Sequence, residues 1–210
     1  IGFELGFKGV IEDSTLTVNV DPYKPVIGYQ QWEANPDNFI EYHLPTGHID
    51  ANLHMKGGKS SLAVYTEGSE AGHSEHSHAT QEDLVVKLGD IHIQDWISLN
   101  PFAPPVKGDV SADMRLNRSS GVLLGQGTLG VTNFYYNRRK VVDIGADFNV
   151  AANIAGQINA HAALSLDGRK VMDLSGALND STVKSPLSMD LSLISVPLDA
   201  LNPFIPKTVG

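Results

Sequence analysis

Apolar and polar residues alternate over Gly156–Leu166 (GQINAHAALSL), and this alternation limits the possible folds more than any other feature of the sequence. The apolar positions recur every two residues, whereas an amphipathic helix repeats about every 3.6 residues. Wound as a helix, these residues would be spread around the whole circumference. In an extended strand they line one face. The run therefore predicts a β-strand with one apolar and one polar face.

The same alternation recurs along the chain, and turn signals such as Tyr136–Lys140 and Asp167–Lys170 separate the runs. The pattern predicts about fourteen strands joined mostly by hairpins. One apolar and one wet face per strand is typical of an all-β antiparallel meander. The candidate interior residues are the apolar members of the clearest runs, namely Val110, Ala112, Met114, Leu116, Ile144, Ala146, Phe148, Val150, Ile158, Ala160, Ala162, Leu164, Leu166, Leu187, Met189, Leu191 and Leu193.

The composition excludes several classes of protein. A formal net charge of −9 disfavours binding to nucleic acid, because phosphate backbones repel an acidic surface. The chain has no cysteine, which removes disulfides and cysteine-based zinc sites. It begins at Ile1 without a leader, which favours a fragment of a larger protein.

A ten-residue phrase occurs twice, as LNPFAPPVKG at Leu99–Gly108 and as LNPFIPKTVG at Leu201–Gly210. Before the first copy, Asp95 is a suitable N-cap, so each copy predicts a short helical turn whose Leu and Phe pack on the sheet before a Gly opens a new strand. The phrase divides the chain into units 1–107 and 108–210 of one continuous sheet. Within the first unit, residues 68–83 read as a polar, mobile loop.

Few residues suggest a catalytic, metal-binding or phosphate-binding site. His73, His76 and His78 offer imidazole ligands for a metal, but no rigid element is predicted beneath them, so a solvated loop is the favoured interpretation and no metal is assigned. Gly125–Gly130 (GQGTLG) does not open a helix, and we expect it to mark bends or bulges rather than a phosphate-binding loop. No catalytic constellation is found, so no enzyme activity and no cofactor are predicted.

The stripe of apolar residues that these strands would place on one face allows two interpretations. It forms the filled core of a sandwich, or it lines an open groove that shelters hydrocarbon. Small residues such as Ala51, Ala112 and Ala146 and the scarcity of interior aromatics favour the groove. A strand of eight to ten residues spans about 26–33 Å, which is wide enough to hold an acyl chain.

Three segments resemble the TamB family of AsmA-like proteins. They are Ser195–Gly210 (SVPLDALNPFIPKTVG), Ile97–Leu116 (ISLNPFAPPVKGDVSADMRL) and Gly127–Asn149 (GTLGVTNFYYNRRKVVDIGADFN), and the stretch from Trp32 to Asp50 is more loosely similar. In this family, long amphipathic strands are punctuated by short Leu/Pro turns. The residues 68–83 depart from the pattern and resemble an insertion.

The resemblance implies a β-taco, a long antiparallel sheet curled into a U around a hydrophobic groove. It also implies an envelope protein of a Gram-negative bacterium, anchored in the inner membrane by an N-terminal helix, lying in the periplasm and reaching an outer-membrane barrel of the Omp85 type (TamA-like). The implied function is a conduit for phospholipid between the membranes. The alternatives are a chaperone for outer-membrane β-barrel assembly and a surface β-sandwich or β-helix adhesin.

Overall fold

A computed structural model describes residues 2–67, 83–97, 102–119, 122–153, 155–179, 187–195 and 197. In these ranges the chain forms seventeen strands and one short helix, α1 (Ile93–Ile97), which confirms the predicted all-β class. The strands are β1 (Phe3–Glu4), β2 (Phe7–Glu12), β3 (Thr15–Val20), β4 (Val26–Ile27), β5 (Gln30–Gln31), β6 (Glu33–Ala34), β7 (Phe39–His43), β8 (His48–Gly57), β9 (Ser60–Glu67), β10 (Asp83–His92), β11 (Val106–Ser119), β12 (Val122–Tyr136), β13 (Arg139–Lys140), β14 (Ile144–Asn153), β15 (Ile158–Leu166), β16 (Arg169–Leu178) and β17 (Leu187–Leu193).

One large antiparallel sheet of 14 strands dominates the fold, as the alternation predicted. Its main path is a meander in the order β2-β3-β7-β8-β9-β10-β11-β12-β14-β15-β16-β17, with β6 beside β8 and β13 beside β12. The strands β1, β4 and β5 form a separate small sheet. Among the described residues the path does not close, so β2 and β17 are its two edges there, and the curling of the sheet into a U stays a prediction.

The register carries one side-chain face across the whole meander. Val110 pairs with Val131, Val131 with Ile144, and Ile144 with Leu166. Because directly opposed residues of antiparallel strands lie on the same side, these pairs extend a single surface. We call the surface that contains Val110, Ile144 and Leu166 the apolar face, and the opposite one the polar face.

Residues 21–38, between β3 and β7, leave the main path of the meander and pack over part of the apolar face, and within them β6 rejoins the large sheet beside β8. Trp32 is only 3% exposed and packs in a cluster with Val20, Leu53, Met55 and other residues of β3, β8 and β10. Its indole Nε1 donates a hydrogen bond to a backbone carbonyl of the same segment at 3.3 Å. The main core of the protein therefore lies between this segment, which we call the cover, and the first half of the sheet.

Two residues fix the cover. Asn38 is 2% exposed; its side chain accepts a bond from the Val20 amide at 2.7 Å and donates to the Val20 carbonyl at 2.9 Å. These bonds replace those that a strand neighbour would make. Gly57 lies directly beneath Trp32, and a Cβ there would be 2.7 Å from the indole ring. A glycine is thus required for the cover to approach the sheet.

The structure corrects several expectations about the repeated phrase. Helix α1 begins at Ile93, so Asp95 lies inside it and is not the N-cap. Phe102 is 91% exposed, so it is not packed on the sheet as predicted. Gly108 is the third residue of β11 rather than its start. The second copy, Leu201–Gly210, lies outside the described residues.

The expectation that Gly125–Gly130 marks bends or bulges is wrong. This segment lies inside β12 and pairs in regular register with β11 and β14. Neighbouring atoms occupy the space that side chains would take at these glycines. A Cβ on Gly125 would be 2.8 Å from Val150, and one on Gly127 would be 2.6 Å from the Asp113 carbonyl oxygen. The glycines therefore allow close packing around a regular strand.

Candidate functional site

The apolar face is the candidate functional surface. By register, all seventeen residues singled out in the sequence lie on it. Sequence reasoning missed the contributions of β10, β12 and β16, for example Val86, Leu129 and Leu174, which the same register places on this face. In β12 the signal was present, because Leu123, Gly125, Gly127, Leu129 and Val131 are two residues apart, but the glycines hid it.

The two halves of the apolar face differ in their covering. Under the cover, Leu53 and Met55 are 6% and 4% exposed. On the edge strand β17, Met189 and Leu191 are 65% and 60% exposed. Scattered exposed leucines are ordinary, whereas a contiguous exposed apolar surface indicates a binding site or an interface. The members of this surface with more than a third of their area exposed are Leu116, Leu123, Leu129, Leu178, Leu187, Met189, Leu191 and Leu193.

A shallow concavity of about 370 Å³ lies on this uncovered half, between β14 and β17. Its floor is a row of small residues, in which Ala160 is directly opposite Gly176. Val150 and Met189 flank this row on the neighbouring strands. The concavity falls in the size range of small-molecule sites. The two small residues thus form a shallow trough that larger side chains bound on the neighbouring strands.

The polar face is tied together by charged pairs. Arg115 on β11 donates two hydrogen bonds to the Glu67 carboxylate on β9, at 2.6 and 3.1 Å, and this pairing raises the pKa of the guanidinium. Asp83 lies 3.8 Å from the same guanidinium. Lys87 lies 3.5 Å from Asp113, and its pKa is raised first by the neighbouring Tyr65 hydroxyl. This face is therefore ionised and hydrated, in contrast to the apolar face.

Two imidazole–carboxylate pairs also lie on the polar face. His92 Nδ1 donates to Asp109 at 2.6 Å, and His161 Nε2 donates to Asp173 at 2.6 Å. The Asn133 side-chain amide, which donates to Asp109, holds the pKa of that carboxyl below its usual value, and His92 adds to the effect. In the part of the chain that the structure describes, no hydroxyl is hydrogen-bonded to either imidazole. These pairs therefore stabilise the contact between neighbouring strands.

The hypothesis of a histidine metal site falls outside the described residues, since His73, His76 and His78 all lie between residues 68 and 82. In the described ranges, no group of three or more histidine or acidic side chains is arranged to hold a metal ion. The helical content there includes no segment long and apolar enough to cross a bilayer.

Comparison with known proteins gives no further identification. No protein-family model, no curated protein and no solved structure matches the chain. The class of protein that the fold defines is an all-β protein built on one long antiparallel meander.

Proposed function

We propose that the protein shelters phospholipid acyl chains on the uncovered half of its apolar face. In this proposal it forms one segment of a periplasmic, inner-membrane-anchored conduit that leads to an outer-membrane barrel, as the resemblance to the TamB family implies. The observation that carries the proposal is the continuity of the apolar face from β11 to β17, outside the cover, with eight large apolar side chains more than a third exposed.

The dimensions of this surface suit an acyl chain. Six neighbouring strands from β11 to β17 measure about 24 Å across at the usual spacing between strands. One leaflet of a bilayer is about 15 Å thick in its hydrocarbon region. An acyl chain lying across these strands, over the trough at Ala160 and Gly176, therefore fits within the width of the apolar face.

The continuity of the apolar face matters because the lipid comes from a membrane, where its methylenes are already shielded from water. Each methylene exposed to water costs about 0.8 kcal/mol, so a gap of three methylenes costs about 2.4 kcal/mol and slows passage roughly fiftyfold. A carboxylate on the trough would create such a gap because it holds water. Apolar contacts without directional bonds, in contrast, let the chain slide.

Native mass spectrometry of the purified protein tests this proposal. We expect co-purified phospholipid in the wild type and a loss of most of it in the double variant Ala146→Asp/Ala160→Asp, whose changes lie on the apolar face. The matched control is Ala151→Asp/Ala177→Asp, with the same substitutions on the polar face of β14 and β16. Equal lipid in the two folded variants, or no lipid in the wild type, would contradict the proposal.

A second candidate, a chaperone for β-barrel assembly, is favoured by one feature. The outer edge of β17 has no strand partner among the described residues, and its apolar-face side chains are 56–65% exposed. Such an edge accepts an added strand through backbone hydrogen bonds. A photo-crosslinker at Leu191, on the apolar face of the edge strand, separates the two candidates, since crosslinks to nascent barrel strands support the chaperone and crosslinks to lipid support the conduit.

A further inference from the structure

Six cationic side chains gather at one end of the strands in the second half of the sheet. This end contains the β12–β13 and β15–β16 turns and the start of β11. The six, which we call the basic rim, are Lys107, Arg138, Arg139, Lys140, Arg169 and Lys170, and all are exposed. In a protein with a formal charge of −9, this concentration stands out.

The carboxylates near the basic rim are already engaged. Asp109 accepts bonds from His92 and Asn133, Asp143 accepts from the Asn133 amide, and Asp167 accepts from the Asp143 amide. Asp173 pairs with Lys170 and His161. Within the described ranges, the other five cations of the rim make no ion pair. The six cations of the rim outnumber these four carboxylates, so an anion can still bind there.

Two of these cations lie at the mouth of the apolar face. Arg169 is directly opposite Leu166, a member of that face. Arg139 is opposite Tyr136, which in turn is opposite Val106 on the apolar side of β11. A lipid that enters the apolar face at this end of the sheet would thus pass beside these cationic groups.

Exposed aromatic rings are concentrated at the same end. Trp96 is 41% exposed and packs edge-on against Phe3, with ring centroids 5.4 Å apart. Tyr135 is 37% exposed and lies between Lys107 and Lys140 on the neighbouring strands. Trp and Tyr beside Lys and Arg are typical of protein surfaces at the membrane interface.

One backbone feature adds to the charge argument. Arg138 has φ 64°, in the left-handed region that favours glycine, at the tip of the tight turn after β12. An arginine at this position is strained relative to glycine, and it places a cationic residue at the turn that ends this hairpin.

We propose that the basic rim docks on a bilayer surface rich in anionic phospholipid, with the uncovered apolar face opening toward the acyl layer. This inference rests on the proposed function for the role of the apolar face, and it adds the place where lipid enters. Phosphate headgroups supply the charge complement, and the aromatic rings beside the cations favour a bilayer over a soluble polyanion.

Sedimentation with vesicles tests the docking with the full chain. The vesicles are phosphatidylcholine alone or with about 30% phosphatidylglycerol. We expect binding only to the anionic vesicles, weakened on going from about 0.1 M to about 0.5 M salt. Each cation near an anionic surface contributes about fivefold, so Arg138→Gln/Arg139→Gln/Arg169→Gln should bind roughly a hundredfold more weakly. The same three positions changed to Lys should retain most of the binding.

A tyrosine pair provides the matched control for the bilayer itself. Tyr135 on the rim and Tyr42 at the opposite end of the sheet are 37% and 39% exposed. We expect Tyr135→Ser to weaken vesicle binding and Tyr42→Ser to leave it unchanged. Equal binding to neutral vesicles, no effect of the three Gln changes, or binding to soluble poly-glutamate as tight as to vesicles would each overturn the proposal, the last by indicating an acidic protein partner.

The two proposals fail separately. If the rim variant loses vesicle binding but keeps its co-purified lipid, then docking and sheltering are distinct functions of the two surfaces, as proposed. If Ala146→Asp/Ala160→Asp keeps all its lipid while the rim still binds vesicles, the docking proposal is supported and the proposal that the apolar face shelters lipid is contradicted.

Discussion

The absence of a side chain at Gly57 allows the cover to lie on the sheet. The change in the free energy of unfolding in Gly57→Ala measures how closely the two are packed. A Cβ at this position would lie 2.7–2.8 Å from three atoms of the Trp32 indole. Carbon atoms in good contact are 3.5–4.0 Å apart, so the ring must retreat by about 1 Å. Two opposing effects set the sign of the result.

Glycine-to-alanine changes at an ordinary φ stabilise a protein by about 0.4–1 kcal/mol through the unfolded chain. Overpacking a tight core costs about 1–3 kcal/mol. Because Trp32 is 3% exposed and fixed by its hydrogen bond, the ring has little room to move. We therefore expect Gly57→Ala to lower the free energy of unfolding by about 1–2 kcal/mol.

Urea denaturation followed by tryptophan fluorescence gives this quantity. The matched control is Gly9→Ala in β2, where a Cβ meets nothing within 4 Å; it should be neutral or stabilising. In the double variant with Trp32→Leu, the smaller side chain should remove most of the penalty of the alanine, and the cycle gives the coupling energy. A Gly57→Ala protein as stable as the Gly9→Ala protein would refute the close contact between the cover and the sheet.

Three further predictions concern other parts of the molecule. Arg138→Gly should raise the free energy of unfolding by about 0.5–1 kcal/mol, since it relieves the left-handed φ, while weakening vesicle binding; a loss of stability would contradict the strain. Asn38→Ala leaves the buried Val20 amide and carbonyl unpaired and should cost about 2–4 kcal/mol in urea denaturation, with a loss under 1 kcal/mol counting against it. The pKa of Asp109 lies below its ordinary 3.8, chiefly through Asn133, so its stabilisation is full above pH 3.8 and is lost as the pH falls through the lower folded value. Asp109→Asn should flatten the fall in the urea midpoint below about pH 4, and an unchanged slope would argue against this role.

The strands could be predicted because alternation is a local property. Ile158, Ala160 and Ala162 reveal a strand from eleven residues of sequence, and the register then needs only short turns to bring neighbouring strands together. The apolar face was anticipated for the same reason. Its extension through β12 was missed because glycine has no side chain to mark a face, so Gly125–Gly130 suggests bends or bulges rather than a regular strand.

The cover could not be predicted, because it depends on contacts between distant parts of the chain. Trp32 carries no local signal that it lies over Gly57, and Asn38 gives no sign that it completes the hydrogen bonds of Val20. The exposure of Phe102 was wrongly predicted for a related reason, since an apolar residue after a helical turn packs only where the fold offers a surface. The basic rim was likewise hidden, because only the order of the strands brings Arg139 and Arg169 to the same end of the sheet.

The strict meander has a consequence for how the protein opens. Among the described residues, each strand of the second half packs chiefly on the strands beside it, so its stability is close to a sum of nearest-neighbour terms, as in a linear array. The cover adds a second layer over the first half. We therefore expect amide hydrogen exchange to be slowest in β8 and β10 and to quicken step by step toward β17, so that the β17 edge frays before the part under the cover unfolds cooperatively.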